Sequence, residues 1–228
     1  MSFRGRILAI DIGAGTQDIL LYEDGIPVEN CVKMVVPSAT TQVAGKIARA
    51  TAAGRDIYLS GHLMGGGPMV SALKKHLAAG LRAYAAPSAA KTVRDDPREV
   101  ETMGVQIVQE RPDGDLLEIA LRDIDLDKLA AALVHYDVSL PDVVAVAVQD
   151  HGEAIGMSNR KFRFQHWERF LRDGGAVGDL IYRDNVPAYF TRMLAVQEDA
   201  PGAYVMDTGA AAVRGALLDP VVGAHQKD

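Results

Sequence analysis

The sequence predicts an α/β fold built on a mixed sheet, and three observations lead to that class. Three strand-like apolar segments follow one another near the start of the chain. Helical and strand-like segments then alternate, as they do in proteins with parallel strands. Residues 143–148 form a continuous apolar run, which is typical of a strand buried on both faces. With 228 residues, the chain is long enough for one large domain or two small ones.

The first three strands are predicted from apolar segments and the turn residues between them. Residues 7–12 and 19–22 flank a glycine-rich turn and predict a hairpin. Asp24-Gly25 marks a second turn, and residues 28–36 predict a third strand. The chain therefore opens with three consecutive strands.

The later elements are predicted from helix caps, helix stops and apolar spacing. Polar residues before residue 41 and the glycine at 54 delimit a helix over 41–53, and Pro68 suits the first turn of the next helix. Further helices are predicted near 68–81, 97–103, 125–135, 162–171, 186–196 and up to 218. Further strands are predicted at 56–60, 116–121, 143–148 and 203–206.

These elements suggest one main domain over residues 1–200. Within it, the polar and irregular stretch near 87–121 predicts a surface insertion that ends in an edge strand. Residues 201–228 are predicted to supply one more strand and a final helix.

Composition excludes several functional classes. The net charge of −6 and the pI near 5.5 disfavour nucleic-acid binding, which needs a basic face. A single cysteine, Cys31, cannot form an intrachain disulfide or a thiolate-held cluster. The first apolar stretch is short and contains Asp11, so it predicts neither a signal peptide nor a membrane span. We therefore expect a cytoplasmic protein with no nucleic-acid or membrane partner.

The turn between the first two strands is the first candidate site. Its glycines allow positive φ and close ligand approach, and successive N–H groups in such a turn can bind an anion. A carboxylate at the end of the first strand can hold Mg²⁺, usually through water. The alternative is a hairpin turn with no ligand. The candidate residues are Asp11, which would hold the metal, and Gly13, Ala14, Gly15, Thr16 and Gln17.

Two further candidate segments follow predicted strands. Ligands bind beyond the carboxyl ends of parallel strands, so in a single sheet all three segments would lie along one edge. The first segment contains His62 and the triplet Gly65, Gly66 and Gly67, which opens a helix and suits either an anion site or a flexible turn.

The second segment is Gln149-Asp150-His151-Gly152, directly after the apolar run. Asp150 could accept a proton and Gln149 could orient a nucleophile, which makes them the candidate catalytic residues. His151 and Gly152 are candidate substrate contacts. The alternatives are a solvated polar turn or a transition-metal site that combines His62, Asp150 and His151.

Asp11-Ile12-Gly13-Ala14-Gly15-Thr16 resembles the first phosphate loop of the actin, Hsp70 and sugar-kinase superfamily of ATPases. The resemblance implies bound ATP and Mg²⁺ and a ribonuclease H-like mixed sheet in the order β-β-β-α-β-α-β-α, with helices on both faces. The segment at 149–152 is similar to the Gln-x-His-Gly that touches the sugar in carbohydrate kinases. Their Trp-x-Asp-x-Arg motif is not found in this chain.

In this superfamily, Asp207-Thr208-Gly209 has two interpretations. It would be either the second phosphate loop or the start of the helix that joins two lobes. After residue 218 only ten residues remain, so we expect a single actin-like lobe with the second lobe absent. A partner chain or a second copy would then complete the cleft.

The motifs from Asp11 to Gly209, taken together, resemble an uncharacterised prokaryotic family labelled pyruvate formate-lyase activating enzyme. That label implies radical SAM chemistry, which needs three cysteines, and the chain has one. Three hypotheses follow for its function. The chain is the ATP-binding lobe of a kinase or ATPase acting on an unknown small molecule, a non-catalytic binding or assembly module, or a metal-dependent hydrolase.

Overall fold

A computed structural model describes residues 5–150, 152–153 and 156–218. The predicted α/β class is confirmed, and the described strands form two sheets. The strands are β1 (Arg6–Ile12), β2 (Thr16–Glu23), β3 (Val32–Pro37), β4 (Ile57–Gly61), β5 (Ala83–Ala85), β6 (Val105–Ile107), β7 (Leu117–Leu121), β8 (Val143–Val148) and β9 (Tyr204–Asp207). The helices are α1 (Ala39–Ala52), α2 (Gly67–Ala78), α3 (Pro87–Ala90), α4 (Pro97–Thr102), α5 (Leu126–Val134), α6 (Asn159–Arg172), α7 (Thr191–Asp199) and α8 (Thr208–Leu218).

The chain divides into two compact units. The first unit comprises the described residues of Met1–Ile12, Asp18–Met34 and Val138–Asp228. The second unit comprises Gly13–Gln17 and Val35–Asp137. No described helix has the length and apolar character needed to cross a bilayer.

The first sheet has the strand order β3-β2-β1-β8-β9. β8 pairs in parallel with β1 on one side and with β9 on the other, as expected for its apolar run. Ile10 and Val146 are register partners in the buried interior. The register also places Asp11 beside Ala147 and Asp207 beside Val148, so the carboxyl ends of the three strands share one edge.

The second sheet has the order β6-β5-β4-β7, and all of its strands are parallel. α1 packs against α2 in this unit. Ile47, Leu59 and Leu73 are fully buried in its core. Buried His76 is held by Thr51 Oγ1 at 2.9 Å from Nδ1 and by the Arg82 carbonyl at 3.2 Å from Nε2.

The single sheet of the prediction is wrong, because β4 pairs with β5 and β7 and not with the strands of the first sheet. The segment at 87–121, expected as a surface insertion, contains α3, α4 and β6 and supplies Ala89 and Val100 to the second core. The helix predicted near 97–103 and the edge strand near 116–121 are confirmed as α4 and β7.

Candidate functional site

Three aspartates lie at the carboxyl ends of adjacent parallel strands in the first unit. They are Asp11 on β1, Asp150 two residues after β8 and Asp207 at the end of β9. This edge is where open α/β sheets bind ligands. The three carboxylates differ in burial and in the groups that they bind.

The Asp11 side chain is exposed. Its Oδ1 accepts a hydrogen bond of 3.3 Å from the hydroxyl of Thr208, the first residue of α8. A carboxylate has about four acceptor sites. Asp11 therefore keeps acceptor capacity that faces solvent.

Asp150 is buried and binds backbone N–H groups through both oxygens. Oδ1 accepts from Gly152 N at 2.8 Å, and Oδ2 accepts from Arg192 N at 2.9 Å and Met193 N at 3.0 Å. These two donors belong to the first turn of α7, whose own cap residue Phe190 supplies no side-chain acceptor. Asp150 therefore caps α7 from a distant part of the sequence.

Burial raises the pKa of the Asp150 carboxyl, and the hydrogen bonds from Met193, Gly152 and Arg192 act in the opposite direction. Since both oxygens accept N–H donors, the ionised form is the one that these contacts suit.

Asp207 caps the helix that follows it in the sequence. Its Oδ1 accepts from Arg163 Nη2 at 2.8 Å, Gly209 N at 2.9 Å and Ala210 N at 3.4 Å. Its Oδ2 accepts from Asp150 N at 3.3 Å. Asp207-Thr208-Gly209 therefore forms the start of α8, because this helix begins at Thr208. Two N–H groups of its first turn, those of Gly209 and Ala210, already bind Asp207.

The remaining residues of the segment after β8 have distinct environments. Gln149 is exposed, and its carbonyl accepts from Arg192 Nη1 at 2.8 Å. His151 lies outside the described residues. Gly152 has φ of +75°, and a Cβ there would lie 2.2 Å from the Phe162 ring, so this position requires glycine.

The turn after β1 belongs to the second unit. Gly13 N donates to Thr16 O at 2.9 Å, and the turn is held by Ser38, which donates from Oγ to Ala14 O at 2.9 Å and from N to Gly15 O at 3.0 Å. Within the part of the chain that the structure describes, the N–H groups of Ala14 and Gly15 have no acceptor. Two adjacent free donors are what an anion site needs.

The glycines of this turn do not adopt the positive φ that we predicted for them. Neither Gly13 nor Gly15 has positive φ. A Cβ on Gly13 would lie 2.9 Å from Thr16 O, so Gly13 is needed for space, whereas Gly15 has open surroundings. Thr16 is exposed, and the Gln17 amide donates to the Asp123 carbonyl and is therefore already engaged.

The loop after β4 is held by buried polar groups of the second unit. Thr40 Oγ1 donates to Gly66 O at 3.0 Å, and Gly65 N donates to Asp123 Oδ1 at 3.3 Å. Gly67 is exposed and has open surroundings, and His62 is half-buried. These contacts favour the structural interpretation of the glycine triplet over an anion site.

The alternative transition-metal site was based on a single sheet. His62 instead follows a strand of the second sheet, and Asp150 follows a strand of the first. Across residues 5–150, 152–153 and 156–218, no three His, Cys, Asp or Glu side chains are grouped to hold a metal ion.

A small, partly open pocket of about 20 Å³ lies beside the two buried carboxylates in the first unit. Its lining residues are Asp150, Arg163, His166, Trp167, Leu180, Phe190 and Asp207. Sequence reasoning did not identify this pocket. The available signal was the spacing of Arg163, His166, Trp167 and Phe170, which puts one polar and aromatic face along α6.

The imidazole of His166 is held among aromatic rings. Phe190 meets it edge-on at 5.1 Å between centroids, and Tyr189 Oη lies 3.5 Å from Nδ1. Nε2 is buried and has no hydrogen-bond partner among the described residues. Burial lowers the pKa of His166, with Arg169 acting in the same direction and Asp207 opposing it. The neutral imidazole is therefore favoured.

Comparison with known families places the chain in a family. A family profile described as "Putative pyruvate format-lyase activating enzyme (DUF1786)" matches residues 64–227. The chain belongs to this family. The region of the chain that matches DUF1786 includes Asp150 and Asp207, whereas Asp11 and its turn precede it. No curated protein and no solved structure matches the chain.

Proposed function

We propose that the chain binds the phosphates of a magnesium–nucleotide, with ATP as the ligand, at the segment Asp11–Gly15. The exposure of Asp11 carries the proposal. Of the three strand-end carboxylates in the first unit, it alone has acceptor capacity facing solvent. The resemblance of this segment to a phosphate loop supplies the identity of the ligand.

The donor set fits this ligand. Mg²⁺ takes oxygen ligands and keeps most of its waters, so one exposed carboxylate such as Asp11 suits it. The hydroxyl of Thr208 binds Asp11 Oδ1 and limits the rotation of the carboxylate. The free N–H groups of Ala14 and Gly15 would bind phosphate oxygens. The metal would neutralise charge on the phosphates when bound.

The roles of the residues after β8 follow from their contacts. Gln149 is exposed at the end of β8 and is the residue we propose to orient a nucleophile. Both oxygens of Asp150 accept N–H groups, from Gly152 and from α7. In this proposal Asp150 therefore positions the segment around Gln149. The proposed activity is phosphoryl transfer to water or to a small molecule, by a kinase or an ATPase.

Calorimetric titration with ATP, with and without Mg²⁺, tests the proposal. Wild-type protein is expected to bind ATP in a Mg²⁺-dependent manner, and Asp11→Asn to weaken that binding by about tenfold or more, because it removes the charge that holds the metal. Asp24→Asn is the matched control, since Asp24 is an exposed turn aspartate in the same unit. Equal affinity of wild type and Asp11→Asn would contradict the proposal.

A further inference from the structure

The pocket beside α6 is a second candidate site, and its argument is independent of the nucleotide proposal. Its polar wall combines the carboxylates of Asp150 and Asp207 with the guanidinium of Arg163 and the imidazole of His166. Its apolar wall consists of Trp167, Leu180 and Phe190. Leu180 and Phe190 are buried, and the Asp207 side chain is 10% exposed.

Carboxylates outnumber cations in the lining of this pocket. Asp150 and Asp207 contribute two carboxylates, and Arg163 contributes one cation, which is bound to Asp207 at 2.8 Å. The neutral form of His166 adds no charge. Asp150 is the lining carboxylate that Arg163 does not pair with, although Arg192, outside the lining, also acts on it.

The hydrogen-bonding capacity that remains in the pocket is acceptor capacity. Asp150 Oδ1 accepts one described donor, Gly152 N, and Asp207 Oδ2 accepts one, Asp150 N. A carboxylate has about four acceptor sites, so one remains on Asp150, which has three described donors, and none on Asp207, which has four. When Nδ1–H of His166 points at Tyr189 Oη, the unpartnered Nε2 is a second free acceptor.

We propose that this pocket binds a primary ammonium group, either of a free amine or of a lysine side chain. An ammonium has three donors and no acceptor, so two of its donors can bind these two free acceptors and the third can face the open side of the pocket. A cavity of about 20 Å³ accommodates a group the size of a water molecule, and its open side leaves room for the attached alkyl chain. Trp167 and Phe190 add the aromatic rings that attract cations.

Fluorescence of Trp167 tests the proposal directly, because it is the single tryptophan of the chain and it lines the pocket. The full chain is titrated with methylammonium chloride at constant ionic strength, with sodium chloride as the exchange salt. We expect a saturable change in emission. Tetramethylammonium has the same charge but no N–H donor, and we expect no saturable change with it.

Variants at His166 separate hydrogen bonding from charge. His166→Phe removes Nε2 and is expected to bind methylammonium about tenfold more weakly, because one hydrogen bond to a charged group is lost. His166→Gln keeps an acceptor and is expected to restore part of the affinity. His135→Phe, at an exposed position in the second unit, is the control and should bind like wild type.

Two results would overturn the proposal. One is a wild-type response that is absent, or that is equal for methylammonium and tetramethylammonium. The other is unchanged methylammonium affinity in a folded His166→Phe variant. If His166→Phe does not fold, the comparison of the two cations on wild-type protein decides the question by itself.

Discussion

The end of β1 and the ends of β8 and β9 carry the same side chain in different situations. Asp11 is exposed and binds one hydroxyl, whereas Asp150 and Asp207 are buried and bind several N–H groups each. All three occupy the edge of the sheet where ligands are expected. Position on that edge therefore does not decide which carboxylate is available to a ligand.

The difference comes from the elements that surround each strand end. α7 and α8 begin beside β8 and β9, and their first N–H groups need acceptors, which Asp150 and Asp207 supply. β1 leads into a turn, and the contact of Asp11 with the start of α8 is the Thr208 hydroxyl and not an N–H group. The two capping carboxylates stabilise the fold, whereas Asp11 keeps acceptor capacity that faces solvent.

The largest expected effect is the loss of stability in Asp150→Ala. Three N–H groups, two of them buried, would lose their acceptor, so we expect the free energy of unfolding to fall by about 3 kcal/mol. Asp11→Ala is the matched comparison and should change it by less than about 0.5 kcal/mol, because its side chain is exposed. Urea unfolding followed by circular dichroism measures both. Equal losses would remove the distinction between the two aspartates.

The glycines that follow the two strands should differ in the same sense. Gly152 has positive φ and touches the Phe162 ring, so Gly152→Ala should destabilise the chain by about 1–2 kcal/mol. Gly15 has neither constraint, and Gly15→Ala should stay within about 0.5 kcal/mol of wild type. Thermal and urea unfolding report both values. A harmless Gly152→Ala would contradict the constrained geometry after β8.

A smaller effect is expected where α6 contacts Asp207. Arg163 pairs with this carboxylate at a side-chain exposure of 29%, so Arg163→Met should lower the free energy of unfolding by about 1 kcal/mol. Arg172 on the same helix pairs with Glu168 at an exposure of 71%, and Arg172→Met should cost close to nothing. If the two variants unfold at the same urea concentration, the ion pair with Asp207 adds no more than a surface pair.

The smallest effect concerns the titration of Asp150. Burial raises its pKa above the ordinary 3.8 for aspartate, so the folded state binds this proton more tightly than the unfolded state does. The stability linked to that proton is full below pH 3.8 and is lost as the pH rises through the raised value. The stability linked to Asp96 has the opposite pH dependence, because its hydrogen bonds with Arg98 lower its pKa.

Carboxyl-carbon NMR titration measures the pKa values of Asp150 and Asp96. We expect the midpoint of Asp150 above 3.8 and that of Asp96 below it. A midpoint of Asp150 at or below 3.8 would show that its N–H donors outweigh its burial.

Much of the first unit was predictable from local patterns. The apolar run of β8 and the segments of β1 and β9 have the length and composition of strands, and their positions placed Asp11, Asp150 and Asp207 at strand ends. The second sheet was missed because β5 and β6 have three residues each, which is too short for alternation to show. β4 was therefore assigned to the wrong sheet.

The roles of the carboxylates were not predictable, because the contacts that set them are distant in sequence. Asp150 caps a helix that starts 41 residues later, and no local motif reports such a contact. The cap by Asp207 is local, and an aspartate directly before a helical pattern is its signal. The unpartnered nitrogen of His166 depends on the rings of Tyr189 and Phe190, which spacing along α6 cannot reveal.

Paramagnetic NMR with Mn²⁺–ATP tests the central claim most directly, since Mn²⁺ replaces Mg²⁺ and broadens nearby resonances. The account predicts the strongest broadening at the amides of Asp11 and Thr208. Ile7, at the other end of β1 and about 13 Å from Asp11 at the rise of a strand, should be much less affected. Equal broadening at Ile7 and Asp11, or none at either, would contradict the assignment of Asp11 as the metal-holding carboxylate.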